Sequence, residues 1–132
     1  MTADELCDLM PTVEIGEVMN AEHDVITFAS PSESSTMCAL LIGNLVNLAV
    51  DLLSGGGDAG FDEQVEVVSR LFASDTFEIE GVGDRAVGFE SSATQILVLG
   101  GRWTVRIAGS GPDEFSQEQA EQVGSLIAAA LG

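Results

Sequence analysis

The chain has 132 residues, 22 acidic side chains against four basic ones, a net charge of −18 and 45% apolar residues. That length and apolar share support one domain with its own core and exclude a disordered chain. The charge repels nucleic-acid phosphates and anionic lipid head groups, so binding to either through charge is excluded. The acidity reads as a solubilising surface, or as attraction for cations or a basic partner. The longest near-apolar stretch, 37–53, is interrupted by Asn44, Asn47 and Asp51. It falls short of the roughly 18 unbroken apolar residues that mark a spanning helix. The start Met1-Thr2-Ala3-Asp4 carries no signal-peptide pattern and reads as a start placed at a mature-domain boundary.

Two short helices open the chain. Thr2 and Glu5 fit a Thr-x-x-Glu capping box, with Leu6, Leu9 and Met10 following on one face. After Pro11, Thr12 offers an N-cap for a helix over 13–20, with Ile15, Val18 and Met19 at helical spacing. A short apolar piece over 25–28 precedes a serine-rich run, Ser30-Pro31-Ser32-Glu33-Ser34-Ser35, read as an exposed loop. The stretch 37–53 is open to two readings. In a hairpin turning at Gly43-Asn44, Val46, Leu48, Val50 and Leu52 face one side and Asn47, Ala49 and Asp51 the other. In a helix, Leu45, Leu48, Ala49 and Leu52 form one stripe. The hairpin is preferred, because a turn is supplied and the polar positions alternate.

The glycine-rich run over 55–60 reads as a flexible break before a helix over 62–73, with Val65, Val68 and Phe72 in one stripe widened by Leu71. Strand patterns follow over 76–80, with Phe77 and Ile79 inward, and over 86–90, joined by the turn Gly81-Val82-Gly83-Asp84. The clearest hairpin runs over 95–108 and turns at Gly100-Gly101. Its second strand points Trp103, Val105 and Ile107 inward and Arg102, Thr104 and Arg106 outward. After the turn residues Gly111-Pro112-Asp113, Ser116 and Gln119 form a second capping box. Ala120, Val123, Gly124, Ile127, Ala128 and Leu131 mark one face of a last helix. The predicted class is α+β: an antiparallel sheet of about five to six strands with N-terminal, middle and C-terminal helices packed on it.

The chain contains two cysteines, Cys7 and Cys38, with no metal-binding cluster around them. They read as one disulfide, which implies an oxidising compartment outside the cytosol. Two buried free thiols, acting as small hydrophobes, are the alternative. A Cys7–Cys38 bridge would tie the first helix to the rest of the fold.

The segment Glu5-Leu6-Cys7-Asp8-Leu9-Met10-Pro11, the helix over 14–20, the second cysteine Cys38 and the turn Gly81-Val82-Gly83-Asp84-Arg85-Ala86 carry a resemblance. Together with the hairpin and C-terminal helix that follow, they resemble a family of secreted actinobacterial lipoproteins built on a domain of unknown function. In that family the second cysteine is usually followed closely by Trp and the turn by an aromatic; here Ala39-Leu40 and Val87 stand there. The resemblance implies a secreted or lipid-anchored domain with a Cys7–Cys38 disulfide, and it carries over no catalytic residue.

Candidate chemistry is sparse. His23, beside Asp24, is the one histidine, and the Gly-x-Ser-x-Gly setting of a serine hydrolase is missing. One His and two distant Cys do not supply a zinc site. Asp58, Asp62 and Glu63 surround the glycine-rich run as a weak calcium candidate, without the spacing of a calcium loop. Neither the glycine run nor Gly81-x-Gly83 has a nucleotide-binding pattern, and no cofactor is implied. Arg102 and Arg106, on one strand face with Trp103 opposite, could contact a ligand or partner, or pair with Glu78 or Glu80, and Asp84-Arg85 in the glycine turn reads as a local structural pair. The expected function is a non-enzymatic extracytoplasmic domain that binds an unknown protein or an apolar small ligand. An accessory subunit of a cell-surface assembly is the alternative, and a small hydrolase using His23 is the third.

Overall fold

A computed structural model describes residues 1–21, 24–30, 36–42, 46–90, 94–109 and 115–132, apart from the Val46 side chain. His23, the run 31–35, the Gly43-Asn44 turn and the turn residues Gly111-Pro112-Asp113 lie outside the described residues. The elements run in the order α1 (Ala3–Asp8), α2 (Thr12–Val18), β1 (Ile26–Ala29), β2 (Thr36–Ile42), β3 (Val46–Ser54), α3 (Gly57–Phe72), β4 (Thr76–Ile79), β5 (Arg85–Phe89), β6 (Gln95–Gly100), β7 (Trp103–Gly109) and α4 (Gln117–Leu131).

The α+β class is as expected, but among the described residues the sheet has seven strands, in the order β1-β2-β3-β7-β6-β5-β4, rather than five to six. Every neighbouring pair is antiparallel. The additional edge strand is β1, which grows from the apolar piece near residue 25 and is too short to show a period in sequence. Two meanders, β1-β2-β3 and β4-β5-β6-β7, are joined through α3 and stitched together by the β3–β7 pair. The described parts of this stretch, 37–42 and 46–53, are paired strands, as preferred, with Leu48 and Val50 fully buried.

Helices α1, α2 and α4 cover one face of the sheet. There Leu6, Ile15, Leu40, Val50, Ile107, Val123 and Ile127 join a single core. Helix α3 lies on the other face, where Phe61 and Val68 pack on Val87, Phe89, Leu97 and Leu99. Strand β6, sandwiched between α4 and α3, is therefore buried at every position. The same double cover buries Thr104, expected to point to solvent, and leaves its Oγ1 without a hydrogen-bond partner among the described residues.

Both capping boxes form, Thr2 with Glu5 and Ser116 with Gln119. The Thr2 backbone N–H, then its hydroxyl, hold the exposed Glu5 carboxyl below the usual carboxylate range. Helix α2 differs from expectation in starting at Thr12, with Pro11 as its uncapped N-cap residue. Leu9 does not join the face of Leu6 and Met10; it is exposed. Helix α3 starts at Gly57, inside the glycine run read as a flexible break. A Cβ at Gly60 would sit 2.3 Å from Ser54 Oγ, so this glycine lets the helix lie directly against the end of β3. Leu71, expected to widen the α3 stripe, is 74% exposed.

Cys7 and Cys38 form a disulfide with Cα atoms 5.3 Å apart, linking α1 to β2. Among the described residues, no helix is long and apolar enough to cross a membrane.

Candidate functional site

Side chains alternate across a strand, and residues directly opposite one another on paired strands share a face. On the α3 side of the sheet, this register builds three rows. Ile26 faces Leu41, which faces Asn47; Phe28 faces Ala39, then Ala49, then Ala108; Met37 faces Asp51, then Arg106, then Leu97. Helix α3 packs on β3, β7 and β6 and seals the Leu97 end of these rows. The β1 end stays open, with Ile26 54% and Phe28 53% exposed. The result is a shallow depression of about 500 Å³ lined by Phe28, Ala39, Leu41, Ala49, Arg106 and Ala108. Ala39, Ala49 and Ala108 form the middle of its floor, flanked by Asn47 in one neighbouring row and Arg106 in the other, with Phe28 and Leu41 as its large apolar side chains.

Arg106 marks the border between the covered and the open part. Its Nε donates to Gln95 Oε1 at 2.8 Å and its Nη1 to Asp51 Oδ2 at 2.8 Å. Its guanidinium also lies 5.5 Å from the ring centroid of Phe72, the last residue of α3. The carboxylate partner is Asp51 on the adjacent strand, not Glu78 or Glu80 on β4 and beyond. Arg106 is thus a neutralised, fixed part of the floor.

The other arginine expected on that strand face is elsewhere. Gly100 pairs with Trp103, so the two-residue hairpin loop is Gly101-Arg102 rather than Gly100-Gly101. Gly101 takes φ +60°, as the first loop position of a type II′ turn requires. Arg102 therefore stands in the turn, its guanidinium 4.4 Å from the Trp103 ring centroid. Trp103 is half-buried rather than a core residue; its ring lies against Gly55. Trp103 and Arg102 form one local stack, and they do not meet Arg106.

Asp58 and Asp62 converge on Arg85, at 3.5 and 2.8 Å, instead of on a common cation position. The hydrogen bond that Arg85 donates to Asp62 raises the Arg85 pKa above its ordinary value, and the guanidinium sits 4.7 Å over the Phe61 ring. Glu63 is exposed on the same helix. Among the described residues, no group of three or more His, Cys, Asp or Glu is placed to hold a metal ion. The expected local pair of Asp84 with Arg85 is not made. Asp84 Oδ2 accepts from the Gly101 N–H at 2.9 Å, closing one turn onto another, while Arg85 reaches α3.

Sequence reasoning found Arg106 but missed the open flank around it. The signal was present in Asn47, Ala49 and Asp51, which alternate on the side opposite Leu48 and Val50. What the sequence lacked was the partner strand β1, which brings Ile26 and Phe28 to the same face. In comparisons with known proteins, no family model, curated protein or solved structure matches this chain.

Proposed function

We propose that this protein is a non-enzymatic extracytoplasmic binding domain of a secreted or lipid-anchored protein, which takes its partner on the open flank of the sheet. The observation that carries this reading is the apolar floor of Ala39, Ala49 and Ala108, left uncovered by the described residues beside Phe28 and Leu41. Contiguous apolar surface exposed on a small domain marks an interaction site. The Cys7–Cys38 bridge supports an oxidising compartment. The resemblance to secreted actinobacterial lipoproteins supports export and a lipid anchor.

The uncharged dye Nile red tests the reading, because it reports apolar surface without responding to the protein's charge. The native protein should raise and blue-shift its emission. Ala49→Arg, which fills the floor, should remove that response while the circular dichroism spectrum stays native. An unchanged dye spectrum with the native protein would contradict the reading.

A further inference from the structure

We infer that the occupant of the open flank is one cationic amphipathic helix of a partner protein, laid on the sheet beside α3. This rests on the binding reading above and gives the partner a chemistry. The width of the flank matches one helix. Strands lie about 4.8 Å apart, so the flank from β1 to β3 and the border with β7 spans roughly 10–14 Å. A helix with its side chains is about 10–12 Å across, so one helix fills the gap. Helix α3 already covers the remainder of the same face in this manner. Its terminal Phe72, 48% exposed beside Arg106, offers a side wall to a neighbouring helix.

The floor supports the same occupant. The row Ala39, Ala49, Ala108 is a strip of small side chains with Phe28 at its β1 end and Leu41 in the neighbouring row. Because the row runs across the strands, it leaves a trough under a helix laid along them, and large apolar side chains on that helix's inner face can fill it.

Charge decides the partner's flanks. The chain carries −18, and each of its four arginines is already engaged. Arg70 pairs with Glu66, Arg85 with Asp58 and Asp62, and Arg106 with Asp51, while Arg102 stacks on Trp103. A partner flanked by Lys or Arg gains from this field and an acidic one is repelled. The same field disfavours a second copy of this chain. At this flank the described edge strand is β1, whose four residues are a short template for pairing with a bare strand.

The test uses the whole chain and two fluorescein-labelled model peptides of about 14 residues, long enough for about four helical turns. One has Leu on one face and Lys on the other; the second replaces Lys with Glu. Fluorescence anisotropy should show the Leu/Lys peptide binding at least about tenfold more tightly than the Leu/Glu peptide, a difference of about 1.4 kcal/mol. Ala49→Arg should weaken Leu/Lys binding by a further factor of about ten, and Phe28→Ser should weaken it in the same direction. Val13→Arg adds the same charge at an exposed position of α2 and should leave binding nearly unchanged. Equal losses for Ala49→Arg and Val13→Arg, or equal binding of the two peptides, would overturn the inference. So would sedimentation showing a dimer that Ala49→Arg dissolves. If Nile red responds at Ala49 but neither peptide prefers the flank, the binding reading stands and the helix falls. If the dye also fails, both fall.

Discussion

The two faces of the sheet are made by alternate residues of the same strands and differ in how they are finished. One face carries α1, α2 and α4 and a disulfide, and Leu40 there has no exposed surface. Among the described residues the other carries α3 alone, and Leu41, the next residue along β2, is only partly covered. The covered face holds the chain together. The half-covered face retains apolar area that folding has not used, which makes it the place where a partner gains most from contact.

Four changes sharpen or break that contrast, from the largest effect to the smallest. Leu40→Ala should cost about 2–5 kcal/mol in chemical denaturation, as full burial of a leucine implies, whereas Leu41→Ala should cost less than about 1 kcal/mol. Comparable costs would erase the distinction between the faces. Removing the bridge with Cys7→Ala and Cys38→Ala should cost about 3–4 kcal/mol in the chain-entropy account of a loop this long. Urea melts with and without the bridge measure it, and amide exchange should rise first in α1 and in β1 and β2 beneath it.

Arg106→Ala should cost about 1–2 kcal/mol, because it strips Asp51 and Gln95 of their donor at a site still partly open to water. Thermal melts give the value, and Nile red should still bind, since the apolar floor survives. The smallest effect is a pH dependence at the first helix. The Glu5 carboxyl is held low in the folded protein, so its contribution is present above the ordinary carboxylate pKa. It is lost as pH falls through the lowered folded value. Amide shifts of Thr2 and Glu5 in an NMR titration should move together there, and Glu5→Gln should remove the transition.

Much of the fold was legible because its signals are local. The Thr2–Glu5 and Ser116–Gln119 boxes, the α4 stripe and the alternation that pairs β2 with β3 depend on short-range spacing, and all form; the Cys7–Cys38 bridge, 31 residues apart, was legible from the cysteine count instead. The failures share a tertiary cause. Thr104 looked outward because alternation assumes one wet face, and α3 dries the second face of β7 there while α4 covers the first. The glycine run looked flexible because its reason, the close approach of Gly60 to Ser54, lies across space. Arg85 found Asp58 and Asp62 rather than its neighbour Asp84 for the same reason. The open flank was half legible: β3 supplied Asn47, Ala49 and Asp51, but four-residue β1 gave no period to read.

The most direct measurement is a map of amide chemical-shift changes on the 15N-labelled protein as the Leu/Lys peptide is added. The account predicts changes concentrated in β1, the Met37, Ala39 and Leu41 positions of β2, the Asn47 to Asp51 part of β3, and Arg106 to Ala108 of β7. Changes concentrated on α2 and α4, or on the Arg102–Trp103 turn, with the open flank undisturbed, would contradict it.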